Sequence, residues 1–145
     1  MIEQLVFSFI ATACFGFIFN VPKRMIIQCG FVGVAGWLIY RSLMETGVDL
    51  IVATFAGGFT VAICGYLLAK IHKAPIIIFV VAGLIPLVPG GTAYDAMRHV
   101  AINEYEKAIP LALKAFIVSG AIAMGLVFAE VLIRLIEKLY AKIIK

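Results

Sequence analysis

Charge is scarce along these 145 residues: 12 Lys and Arg stand against 8 Asp and Glu, 14% of the chain, while 64% is hydrophobic and the mean hydropathy is +1.13. A water-soluble globule carries about 25% charged residues because it needs a polar skin, so this deficit excludes an ordinary soluble domain. Disorder is excluded by the same apolar content. Cysteine is nearly missing. Cys14, Cys29 and Cys64 each lie inside an apolar run, with neither CxxC nor Cys/His metal spacing, and read as small buried residues. No HExxH metal pair, GxSxG nucleophile elbow or GxxxxGK[ST] phosphate loop occurs. ATP drive therefore has no support, no metal or other cofactor is expected, and an enzyme would have to rest on His72, His99, Asp95 and Glu130 alone. The net charge of +4 does not point to nucleic acid, because the Lys and Arg residues sit in short clusters between apolar runs, as in membrane loops.

What the chain does have is five apolar runs, over 5–19, 25–40, 50–69, 76–88 and 109–136. One bilayer span takes about 20 residues, so five leave only short loops and no separate soluble domain. The fold class that follows is all-α: a polytopic membrane bundle of about five transmembrane helices, forming one integral membrane domain over 1–145. The first two runs are short, and flanking residues such as Val21, Pro22 and Leu43 extend them or the bilayer thins locally. The start Met1-Ile2-Glu3-Gln4 lacks the positive region of a signal peptide, so the first run reads as a retained helix. Basic residues orient the bundle. With the N-terminus outside, Lys23, Arg24, Lys70, Lys73, Arg134, Lys138, Lys142 and Lys145 fall on the cytoplasmic side, against Arg41, Arg98, Lys107 and Lys114 opposite. The bias favours N-out and C-in. The last helix is expected from Pro110, as its first helical residue, to about Ile144, a reach of about 52 Å. Glu130 and Arg134 pair there across one turn, and Lys138 and Lys142 snorkel to headgroups.

The informative stretch is Ile85-Pro86-Leu87-Val88-Pro89-Gly90-Gly91-Thr92-Ala93-Tyr94-Asp95-Ala96-Met97, where two prolines and two glycines interrupt the fourth run. Each proline removes a donor and clashes with the carbonyl four residues back; the glycines free the backbone to turn. The fourth helix should thus be broken, with about 13 residues before Pro89 and a second piece from Ala93 to about Glu106. Thr92-x-x-Asp95 has capping-box spacing. The amides of Gly91 to Tyr94 would point at the break, where they and the helix dipole suit a carboxylate or phosphate. Freed backbone groups in lipid need a protein neighbour or a watery cavity, and transporters use that geometry. The alternative is a surface loop, with 92–108 lying on the bilayer. Within the spans, Gln28, Thr54, Thr60, Tyr66 and Ser119 read as interhelical glue, and Gly30, Gly33, Gly36, Gly57, Gly58, Gly120 and Gly125 as points of close helix approach.

Phe19-Asn20-Val21-Pro22-Lys23-Arg24, followed by Cys29-Gly30 and Gly33, and Pro86-Leu87-Val88-Pro89-Gly90 with Tyr94 and Met97, resemble the threonine/serine exporter family, specifically its short all-membrane subunit. The likeness spans nearly the whole chain in length and hydropathy. It implies export of a small carboxylate-bearing solute, threonine and serine or a dicarboxylate such as succinate, from a bacterial cytoplasm through the inner membrane. It also implies a partner: a five-helix long subunit of the same family with a hydrophilic domain. Pro86, Pro89, Gly90 and Tyr94 carry over as the site-forming motif and Asn20 and Pro22 as the second one. On this reading the Gly90, Gly91 and Thr92 amides bind the carboxylate, Thr92 and Tyr94 hydroxyls orient it, and Asp95 carries a proton or attracts an α-ammonium. Arg98 and Lys114 attract an anion near the outer exit, or simply snorkel at the interface. The competing reading is a membrane subunit for assembly or stability that transports nothing itself.

Overall fold

In the computed structural model, which describes residues 2–143, six α-helices follow one another: α1 (Ile2–Ile18), α2 (Ile26–Glu45), α3 (Leu50–His72), α4 (Ile76–Leu84), α5 (Gly90–Ala101) and α6 (Tyr105–Ile143). The segments Lys23–Glu45, Leu50–His72 and Tyr105–Leu139 are long and apolar enough to cross a membrane, and Glu3–Ile18 is a shorter apolar helix. The helical membrane bundle expected from hydropathy is what the chain forms. Its connections use residues that tolerate a left-handed backbone or lack an amide. Asn20 (φ 56°) ends the first helix, and Pro22 opens a 3-10 turn in which Met25 N–H donates to the Pro22 carbonyl at 2.7 Å. Lys73 (φ 51°) caps α3, and Pro75 precedes α4.

α3 is the central element, packed against α2, α4 and α6. Between apolar surfaces in lipid, close van der Waals approach replaces the hydrophobic drive, so small residues decide where helices touch. α2 and α3 cross at Gly36 and Gly57: a methyl on Gly57 would lie 3.2 Å from the Gly36 carbonyl oxygen and 3.0 Å from Leu87 Cδ2. Gly30 and Gly33 of α2 receive Phe9 and Thr12 of α1. α3 and α6 run parallel. Gly58 faces Ile122 and Tyr66 meets Glu137, so both numberings rise together; the Phe55 and Phe128 rings also meet across this contact. Gly125, which touches the Gly58 turn of α3, lies 20 residues into α6, whereas Gly58 lies eight into α3. α6 therefore overhangs the start of α3 by about 18 Å. α5 returns along that overhang, burying Ala96 and Ala108.

α2 runs on through Leu43, as expected, to Glu45, supported by the Arg41–Glu45 pair at 3.1 Å. Several other expectations need correction. α6 starts at Tyr105, so Pro110 sits inside it; the Glu104 carbonyl already takes the amides of Lys107 and Ala108, and helix formation precedes the proline. The expected end at Ile144, like Lys145 and Met1, lies outside the described residues. Cys14 is exposed on the bundle surface; Cys29 alone of the three is buried. Gly120 faces open space and supports no close approach. Most polar residues within spans are not interhelical glue: Thr12, Thr54, Thr60 and Ser119 each donate to the carbonyl four residues back in their own helix. That bond satisfies a hydroxyl without a neighbour. Gln28, toward His72, and Tyr66, toward Glu137, do reach across helices, as does the Cys29 thiol toward the Ile78 carbonyl.

Candidate functional site: the interruption between α4 and α5

α4 stops at Leu84, four residues short of the expected Val88. Pro86 offers no amide, and the Leu84 carbonyl instead takes the amides of Leu87 at 2.8 Å and Val88 at 3.2 Å, a tightened turn. Gly90 N–H closes on the Val88 carbonyl at 2.8 Å, and Pro89 stands at the N-cap of α5. The second helical piece therefore begins at Gly90, three residues before the expected Ala93, and ends at Ala101 rather than near Glu106. Thr92 and Asp95 form no capping box, because both already lie within the helix. Ala93 N–H donates to the Pro89 carbonyl at 3.0 Å, and Tyr94 is past the first turn. Of the four amides expected to face the break, only those of Gly91 and Thr92 remain for an outside acceptor.

The interruption lies within the bundle rather than at its tip. Leu87 is 6% exposed and seats against the Gly36–Gly57 crossing. Gly57 is seven residues into α3 and Gly36 nine residues before the end of α2, so the crossing is about 10–14 Å below those helix ends. Neither Gly90 nor Gly91 uses a left-handed φ, and a methyl on either would meet no atom within 4 Å. The turn therefore does not need glycine there, contrary to the sequence argument. Both positions are open. Pro86, Pro89 and Thr92 are half-buried, Asp95 is exposed, and Tyr94 is 68% exposed, its ring free of the bundle.

The two motifs are not brought together. Phe19 and Val21 border a shallow cleft on α4 with Ile77, Ile78 and Ala82, whereas Pro89 to Asp95 follows the other end of α4. Asn20 and Pro22 shape the α1–α2 turn and are exposed. Arg98 and Lys114 are exposed on the α5–α6 hairpin and form no ion pair among the described residues. A cleft of about 450 Å³ lies elsewhere, between α3, α4 and α6, walled by apolar residues with Tyr66, Glu130, Arg134 and Glu137 at one side.

Two polar clusters escaped sequence reasoning. Tyr66, Glu137 and Lys70 join α3 to α6, which required knowing that these helices pair. At the α5–α6 turn, Glu104 accepts from Lys107 Nζ at 3.0 Å and pairs with His99 Nδ1 at 2.8 Å. The Lys107 bond first, then His99, holds the Glu104 carboxyl below its usual range. A lowered folded value means stability present above the unfolded value near 4.3 and lost as pH falls through the folded one. Protection of the Lys107 and Ala108 amides from hydrogen exchange is thus expected to fall below about pH 4, and Glu104→Gln should abolish that acid dependence.

Among known proteins, a protein-family model described as "Threonine/Serine exporter, ThrE" matches residues 4–132. No solved structure matches the chain.

Proposed function

Because the chain belongs to the threonine/serine exporter family, we propose that it is the short membrane subunit of a two-component secondary exporter for a small carboxylate-bearing solute. The solute is threonine, serine or a dicarboxylate such as succinate, moved out across the bacterial inner membrane, with the N-terminus outside and the C-terminus in the cytoplasm. Its carboxylate would sit at the start of α5. One observation carries this reading: Gly90 and Gly91 are glycines that the fold itself does not require, beside the open Gly91 and Thr92 amides and just past Leu87, which is seated in the bundle. A helix N-terminus with bare backbone is suited to an anion, and broken helices inside a bundle are where transporters hold ligands. Thr92 and Tyr94 supply hydroxyls, and Asp95 a proton or a partner for an α-ammonium. The site is open on one side, so it is half a site, completed by the five-helix long subunit.

The exposure of Tyr94, Asp95 and Met97 also favours a second reading, in which this surface docks the long subunit without touching solute. Counterflow of labelled threonine, serine and succinate in vesicles holding this chain, the long subunit, or both separates them. Saturable flux is expected only with both. Equal flux from the long subunit alone assigns this chain an assembly role, and no flux of any of the three solutes with both present sinks the exporter reading for these substrates.

A further inference from the structure

At the end of the bundle where α3 turns into α4, the cleft of about 450 Å³ between α3, α4 and α6 changes character along its length. Its inner part is walled by Ala62, Val80 and Leu126, and its outer part carries Tyr66, Arg134 and Glu137. A second cleft of about 350 Å³ shares Tyr66, Ile76 and Glu137 with it and continues to Lys70 and Ala74, at the α3–α4 turn. From Leu126 to Glu137 is about three turns of α6, about 16 Å. That is close to one leaflet, half of a hydrocarbon core about 30 Å thick. Charge collects at the outer end only. Arg134 Nη2 donates to Glu130 Oε1, and the Tyr66 hydroxyl donates to Glu137 Oε1 with Lys70 Nζ 3.5 Å from that hydroxyl. The Arg134 and Glu130 side chains stay 76% and 61% exposed, so among the described residues most of the guanidinium donors are unused. Bare charge against hydrocarbon is costly, and such long side chains reach for headgroups.

We propose that this cleft binds one zwitterionic aminophospholipid, of the phosphatidylethanolamine type, with an acyl chain along Ala62, Val80 and Leu126 and its headgroup at Arg134 and Glu137. The apolar walls suit a hydrocarbon chain and not a free polar solute, whose groups would go unpaired there. The outer end decides the headgroup. It presents two cations, Arg134 and Lys70, and two carboxylates, Glu130 and Glu137, which complements one phosphate and one ammonium and gives no advantage to a purely anionic lipid. The guanidinium fork matches phosphate oxygens. The carboxylates accept N–H donors, which a primary ammonium has and a quaternary one lacks. α4 and α6 both pack on α3, and the acyl chain fills the gap between them. The site depends neither on the exporter reading nor on which way the bundle is inserted.

The test places the full chain in bilayer discs of equal parts phosphatidylethanolamine, phosphatidylglycerol and phosphatidylcholine with identical acyl chains, and reads by native mass spectrometry which lipid stays on the released protein. Expected is one phosphatidylethanolamine per chain, retained at least about tenfold over either of the others, the equivalent of one charged hydrogen bond. Glu137→Gln keeps an acceptor for Tyr66 but loses the charge, and should bring phosphatidylethanolamine down to the phosphatidylcholine level. Arg134→Gln should lower both. Ile77→Trp, on the cleft wall, should exclude the acyl chain and release all three lipids. Residues 77, 134 and 137 are all exposed, so these variants should fold. Arg41→Gln, at an arginine likewise exposed and paired but at the far end of α2, should change nothing. Equal retention of the three lipids, retention led by phosphatidylglycerol, or selectivity unmoved by Glu137→Gln and Arg134→Gln overturns the proposal. Displacement of the lipid on adding the long subunit also overturns it, and gives the cleft to a protein helix. Absence of solute flux overturns the exporter reading and leaves these masses unchanged.

Discussion

Gly125→Leu is expected to prevent α6 from seating on α3 and to leave little folded protein after extraction. A methyl at Gly125 would stand 2.5 Å from the Phe55 carbonyl oxygen and 2.9 Å from the Phe59 amide nitrogen. Both are backbone atoms of a continuous helix, so no rotamer change relieves the contact; the helices must part. Even Gly125→Ala belongs to the overpacking class, at about 1–3 kcal/mol, and should lower the melting temperature in detergent by several degrees. Leucine adds three further carbons at the same point and would also break the Phe55–Phe128 edge contact one turn away. Because α5 is held chiefly by α6, its position would be lost as well. Gly120→Leu is the control: a Cβ at Gly120 meets no atom within 4 Å among the described residues, and folded yield and melting should match wild type. Equal melting for Gly125→Leu and Gly120→Leu would remove the close α3–α6 approach from the account of this fold.

The contrast between those two glycines shows how far sequence reasoning reaches. Both occupy the same apolar run, and nothing in their spacing tells which one faces a neighbour; the parallel pairing of α3 with α6 decides it. Interruptions were legible, since Pro22, Pro75, Pro86 and Pro89 each lack an amide and each stands at or beside a helix end. Their exact ends were less so: the Leu84 carbonyl gathers two amides and stops α4 early, and α5 begins at Gly90 through Pro89 rather than through a Thr92 cap. Left-handed Lys73 carries no sequence signal of the kind that Gly47 does. Span hydroxyls misled because a threonine satisfied by its own helix and one bonded across helices look identical in sequence. The interruption that hosts the candidate site was legible in the sequence, but the reason for its glycines was not. Sequence reasoning assigned them to the turn, and the turn does not use them.

Gly90→Leu should therefore abolish solute flux while leaving the fold intact. The backbone at Gly90 does not need the left-handed region, and a Cβ there would meet no atom within 4 Å among the described residues, so melting and yield should stay at wild-type values. What the leucine changes is outside the chain. It places a bulky apolar group at the first residue of α5, beside the only first-turn amides left without an internal acceptor, those of Gly91 and Thr92. An anion that approached those amides would lose contact and meet hydrocarbon instead. With each amide-to-carboxylate hydrogen bond contributing about 1.5–3 kcal/mol, loss of two corresponds to a fall of at least about a hundredfold in solute affinity. Gly90→Ala, far smaller, should retain part of the flux with a raised KM. The check is counterflow in vesicles holding both subunits, together with co-purification of the long subunit. Wild-type flux through Gly90→Leu would remove solute from the start of α5. Loss of the long subunit from the purified complex, with flux lost as a consequence, would assign the bare glycines to a docking contact.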